Sequence, residues 1–198
     1  MKNARGAPSK LRTPPPVKQS PQLDLRPGQS VELLKELHIL TREGKINQDS
    51  RRKLKQVYHL VQFIEKIVAE LCTSPTTGLT LADHGAGKSY LGFILYDLCF
   101  KSIPAGHIFG IETRAELVEK SSELASRLGF DRMSFINLTV ASACSDQSLP
   151  DQVDIITALH ACDTATDEAI AFGLQKKAKA MVLVPCCQAE IARSLNAH

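Results

Sequence analysis

The apolar positions of this chain follow two different periods. Residues 31–40 place Val31, Leu33, Leu34 and Leu37 at helical spacing among Glu32, Lys35 and Glu36, and Gly44 breaks the pattern. From residue 49 to residue 71, Leu54, Val57, Tyr58, Val61, Ile64, Ile67, Val68 and Leu71 form one apolar face of a longer helix, with Asp49 or Ser50 as its cap. Ser74-Pro75-Thr76-Thr77-Gly78 then reads as a linker. Beyond it the pattern becomes short apolar runs alternating with helical stretches. Runs at 79–83, 107–112, 133–140, 153–159 and 180–184 predict strands, and 89–100, 114–128 and 166–178 predict the helices between them. Strands separated by helices of this length are joined by right-handed crossovers into a parallel sheet, so the fold class is α/β. There is no internal repeat.

Composition narrows the picture. Apolar residues are 43% and charged residues 23%, ordinary for a soluble globular protein. A net charge of +3 excludes a molecule that is basic throughout. The charge is uneven, however. Residues 1–30 hold six of the ten prolines, and Lys2, Arg5, Lys10, Arg12, Lys18 and Arg26 face one acid, Asp24. Such a stretch cannot bury enough apolar surface to fold, and reads as a disordered basic tail. It serves as a solubilising leader or adds sequence-independent attraction to nucleic acid. The long helix carries Arg51, Arg52, Lys53 and Lys55 in its first turns, against the helix dipole, where they meet phosphates or solvent. The expected organisation is a tail at 1–30, a helical segment at 31–75 and an α/β domain at 76–198. No apolar run is long enough for a bilayer and no signal peptide opens the chain. Six cysteines without disulfide-framework spacing point to a reduced, cytoplasmic setting.

The stretch Leu79-Thr80-Leu81-Ala82-Asp83-His84-Gly85-Ala86-Gly87-Lys88-Ser89-Tyr90-Leu91 carries the candidate chemistry. It reads as a buried strand, a tight turn and a helix start, where glycines let backbone approach a ligand and free N–H groups meet a polar group. Three ligands compete for it. Ala82 to Ser89 fits a loose P-loop, but Asp83 would repel phosphates. Gly85-Ala86-Gly87 opens a dinucleotide fingerprint whose third glycine would fall at Tyr90. S-adenosylmethionine has no pyrophosphate and carries an ammonium and a sulfonium, so it tolerates Asp83. Glu112, 25 residues after Gly87 at the end of the second strand, can then accept hydrogen bonds from both ribose hydroxyls.

Two further motifs extend the pattern: Leu159-His160-Ala161-Cys162-Asp163-Thr164-Ala165-Thr166-Asp167-Glu168-Ala169 and Val184-Pro185-Cys186-Cys187-Gln188. The first lies directly after a predicted strand, at the carboxyl edge where open α/β sheets bind ligands. With the Asp83 loop, these motifs resemble the class I S-adenosylmethionine-dependent methyltransferases. They are most similar to the branch with an Asp-x-Gly-x-Gly-Lys-Gly-Tyr-Leu loop, a Leu-His-x-Cys segment and a Cys-Cys pair, near the tRNA 2′-O-methylating family. The resemblance covers about residues 30–190. It implies a Rossmann-like methyltransferase sheet of seven strands, of which this chain supplies about five, so that it is a fragment or works with a partner. It implies S-adenosylmethionine as cofactor, with Asp83, Gly85 and Gly87 in the cofactor loop and Glu112 on the ribose. It places His160, Cys162 and Asp163 facing the methyl donor and the substrate. Ser89 stands where the family has glycine, Gln188 where it often has histidine, and Asn137-Leu138-Thr139 lacks an acid often set near adenine.

The reaction so implied moves a methyl group in line to an O or N acceptor, which needs alignment more than covalent chemistry. His160 and Asp163 are the candidates for taking a proton from the acceptor or orienting it, and His160 also faces the cofactor. His160 reads equally as a structural histidine at a strand end. Lys88 pairs with the methionine carboxylate or sits in solvent. Cys162 reads as a small buried residue. Cys186 and Cys187 are adjacent and point to opposite faces of a strand, so no metal is expected. RNA is the expected acceptor, on the strength of the basic tail and helix, with no DNA or membrane partner. The alternative is a non-catalytic cofactor- or RNA-binding module on the same fold.

Overall fold

The computed structural model describes residues 25–74, 78–139, 143, 147–159 and 164–185. It begins with a short helix α1 (Val31–Glu36), capped by the Ser30 hydroxyl, which accepts from the Leu33 N–H. The long helix α2 (Gln48–Leu71) follows and buries Leu54, Val57, Val61, Ile64 and Val68 along one face. Polar contacts tie the segment before α1 to the body: Arg26 pairs with Glu65 at 2.8 Å, and the Ser30 N–H donates to Asp97 Oδ2 at 2.7 Å. Then come β1 (Thr80–His84), α3 (Tyr90–Leu98), a 3-10 turn (Phe100–Ser102), β2 (His107–Glu112), α4 (Ala115–Arg127), β3 (Met133–Asn137), β4 (Ile155–Leu159), α5 (Thr164–Gln175) and β5 (Ala180–Val184).

The five strands form one sheet in the order β3-β2-β1-β4-β5, and every pair is parallel. This is an α/β Rossmann-like fold. Register sets the layers. Leu81 lies beside Ile108 and Ile155, and Ile108 beside Met133. That row joins Leu33, Leu34, Val57, Val61, Phe93 and Leu124 in one core, so α1, α2, α3 and α4 cover this side. The alternate positions Ala82, Ile111 and Ile156 pack with Phe172 of α5 on the other side. Asp83 shares the parity of Leu81 and therefore points toward the α2–α3 side.

Boundaries differ from the sequence pattern for physical reasons. α1 stops at Glu36 rather than 40, because the Ile39 and Leu40 N–H groups both return to the Leu34 carbonyl and His38 takes φ +55. The cap of α2 is Asn47, whose Oδ1 accepts from the Ser50 N–H at 2.7 Å, and not Asp49 or Ser50. β4 starts at Ile155 rather than 153. The Asp154 carboxylate there accepts from the Thr80 N–H and hydroxyl and pairs with Lys179 at 2.8 Å. β3 ends at Asn137, whose amide donates to the carbonyls of Glu112 and Thr113. α5 spans Thr164–Gln175, two residues earlier at its start than expected. The predicted tail up to residue 24, the segment 160–163 and residues 186–198 lie outside the described residues.

Candidate active site

The turn after β1 is built from left-handed backbone. Gly85 has φ +66 and Gly87 φ +58, conformations that favour glycine. Ser89 follows at φ +50 with its side chain fully buried and its hydroxyl without a partner. The turn is pinned to the tip of β2 by two bonds: the Ala86 N–H donates to the Ile111 carbonyl at 3.0 Å, and the Gly87 N–H donates to Glu112 Oε2 at 2.8 Å. Parallel pairing of β1 and β2 brings these tips side by side.

Two carboxyl groups flank the turn in different electrostatic states. Asp83 is 2% exposed and opposite Thr157 in register. The Thr157 hydroxyl donates to Asp83 Oδ1 at 2.7 Å. Burial pushes this carboxyl up to about 7, against the downward pull of the Thr157 hydrogen bond. Glu112 is also buried, and burial alone would raise it. Hydrogen bonds from the Arg114 side chain, the Arg114 N–H and the Gly87 N–H together outweigh that and hold it near 2. Arg114 grips the carboxylate in a fork, Nε to Oε1 at 3.0 Å and a terminal nitrogen to Oε2 at 3.1 Å.

A cavity of about 610 Å³ opens beside the turn. Asp83, Gly85, Ala86, Gly87, Lys88 and Tyr90 line its floor, and Leu159 and Val184 close it at the tips of β4 and β5. Helix α2 forms its roof through Lys53, Gln56, His59 and Leu60. The Lys53 ammonium sits 3.4 Å from the Tyr90 ring centre, and burial lowers its pKa. Lys88 is exposed at the mouth. Glu112 itself stands behind the turn, and Arg114 takes its place on the cavity wall.

Of the residues expected at the site, Asp83, Gly85, Gly87 and Lys88 therefore meet at one cavity, with Glu112 bonded to the turn from behind. His160, Cys162, Asp163, Cys186, Cys187 and Gln188 lie outside the described residues. His84, one residue after Asp83, turns to the opposite face. It is 6% exposed, burial lowers its pKa, and its Nε2 has no partner. The donor set suits a cationic adenosine cofactor better than a phosphate. The Gly87 N–H that a P-loop would aim at phosphate is given to Glu112, and the Ser89 hydroxyl that would hold Mg²⁺ is buried beneath the turn. Among the described residues, no group of three or more His, Cys, Asp or Glu side chains is placed to hold a metal ion, and no helix is long and apolar enough to cross a membrane.

Sequence reasoning missed Thr157, Arg114 and, apart from Lys53, the residues of the roof. Thr157 was visible as a lone hydroxyl in an apolar strand, and Arg114 as a cation two residues past a strand-end acid. The roof depends on how α2 packs, which no local pattern encodes.

A family profile described as a methyltransferase domain matches residues 52–194. No curated protein matches the sequence. Among solved structures, TrmK from M. capricolum, in complex with S-adenosyl-homocysteine, is similar at 10% identity and a TM-score of 0.50, covering 71% of this chain and 55% of that one. The N-terminal domain of human METTL16, also with S-adenosyl-homocysteine, is similar at 11% identity and 0.50, covering 71% and 60%. The YcgJ protein of Bacillus subtilis shares 20% identity at a TM-score of 0.42, covering 60% and 46%. The chain thus spans about half of the length of these structures.

Proposed function

The chain belongs to the methyltransferase-domain family, and from that premise we propose that it binds S-adenosylmethionine in the cavity beside the β1 turn and transfers its methyl group to an O or N acceptor on RNA. The observation that carries this reading is the pair of strand-tip carboxyl groups around a left-handed glycine turn. Asp83 lines the cavity, and Glu112 is bonded to Gly87 and Arg114. When bound, the cofactor supplies an electrophilic methyl on a sulfonium. The remaining work belongs to the protein's own groups. Asp83, buried and poised to ionise near neutrality, offers a negative charge to a cationic ligand. Glu112 offers carboxylate oxygens to a sugar diol once the Arg114 guanidinium moves from one of them. Gly85 and Gly87 let backbone approach closely. Leu60, Leu91, Leu159 and Val184 keep water from part of the wall. His160 and Asp163 are assigned the acceptor's proton.

Calorimetry with S-adenosylmethionine and with ATP–Mg²⁺ tests the cofactor, and a methyl-transfer assay with radiolabelled cofactor on RNA and protein fractions tests the reaction. Binding of S-adenosylmethionine with label transfer to RNA, lost in Asp83→Ala, is the expected result. Tight ATP–Mg²⁺ binding without it would sink the reading. Cofactor binding with no transfer to any fraction would leave a binding module.

A further inference from the structure

Helix α2 does not end at the cavity it roofs; its outward side continues along the surface. We propose that this side is a track for single-stranded RNA that delivers the acceptor nucleotide to the cavity, an inference that rests on the methyl-transfer reading above. Arg52, Gln56, His59, Phe63 and Lys66 follow one another at steps of four and three residues, so they share one side of the helix. All five are exposed. The stripe spans about 21 Å. It is continuous with the cavity because Gln56 and His59 also line the cavity wall, beside Lys53.

Its chemistry has two parts. Between residues 52 and 66 there are four cations, Arg52, Lys53, Lys55 and Lys66, and one acid, Glu65, which is turned to Arg26 at 2.8 Å. Asp49, 3.8 Å from Arg52, and Glu70 stand beyond the two ends. Interleaved with the cations is an exposed ring pair. His59 and Phe63 meet edge to face with centres 4.9 Å apart, and Phe63 is 50% exposed. Cations match phosphates, and exposed rings match the faces of unstacked bases; together they are the pattern that single strands bind. A duplex hides its base faces, and an acidic peptide would satisfy the cations but leave the rings unmatched.

The test uses the whole chain and fluorescence anisotropy of a labelled, unstructured RNA oligonucleotide, beside calorimetric binding of S-adenosylmethionine. The expected result is RNA affinity whose logarithm falls linearly with the logarithm of salt concentration. Phe63→Ala should weaken it about tenfold or more. Lys66→Gln should lower the salt slope by about one. Both variants change exposed side chains, so S-adenosylmethionine binding stays at the wild-type value. Unchanged RNA affinity in Phe63→Ala would overturn the track, even if the basic tail still held RNA. A matching affinity for polyglutamate or for the duplex would overturn it too. A chain that binds S-adenosylmethionine but no RNA overturns this inference and leaves the cofactor assignment standing. A chain that binds neither overturns both.

Discussion

Replacing Asp83 by Asn should stabilise the empty protein while weakening its hold on a cationic ligand. The carboxyl is 2% exposed, and its pKa rises from 3.8 to about 7. A carboxyl raised in the folded state binds its proton more tightly there than in the unfolded chain. Its contribution to stability is therefore full below pH 3.8 and is lost as the pH climbs through 7. Three units of difference correspond to about 4 kcal/mol. Asn keeps an oxygen for the Thr157 hydroxyl and removes the ionisation. With 2–4 °C per kcal/mol for a chain of this size, Asp83→Asn should melt roughly 8–16 °C higher at pH 7.5 and close to the parent at pH 4. The same titration appears on binding: a cation beside Asp83 should expel about half a proton at pH 7, nearly one at pH 5.5 and almost none at pH 9. Calorimetry of S-adenosylmethionine binding in buffers of different ionisation enthalpy counts those protons. A melting difference that is flat from pH 4 to 8, together with no proton release at pH 6, would show the carboxyl already ionised in the empty cavity and refute the desolvation argument.

Three further outcomes follow from the same turn. Ser89→Gly should raise the melting temperature by about 2–8 °C, because a left-handed non-glycine residue and a buried unpaired hydroxyl each cost about 1 kcal/mol or more; a lower melting point in thermal denaturation would count against it. Arg114→Ala removes groups that hold Glu112 near 2. Glu112 contributes stability that is full above 4.5 and is lost as pH falls through 2; without Arg114 that contribution is smaller and is gone at a higher pH, so the acid-unfolding midpoint by circular dichroism should rise. Thr157→Val removes the hydrogen bond that lowers Asp83. The pH profile of S-adenosylmethionine affinity should then move to the alkaline side, and an identical profile would show that Thr157 does not tune the carboxyl.

Much of this architecture could be read along the chain because the strands are short apolar runs set between helical stretches. The runs 107–112 and 180–184 coincide with β2 and β5 residue for residue. A turn residue bounds each run on one side, Gly106 before the first and Pro185 after the second. Helix ends were less legible. Leu37, Ile39 and Leu40 are apolar and buried, yet they lie past the end of α1, so periodicity cannot separate a helix from the packed turn that follows it. At the site, the glycine turn and Glu112 could be found because a strand end followed by closely spaced glycines is a local event. Thr157 and Asp83 are 74 residues apart and meet only through the β1–β4 register. Lys53 reaches Tyr90 only because α2 packs on α3. Contacts of that kind belong to packing and leave no local trace.

The roof of the cavity and its floor belong to one body, since the inner side of α2 and the Leu81 row of the sheet share a core. A ligand wedged between them therefore acts as a clamp on both. Amide hydrogens at Val61, Ile64 and Val68, which touch nothing in the cavity, should exchange more slowly once it is filled. Conversely, any change that loosens α2 from the sheet should cost affinity without altering a single group that the ligand meets.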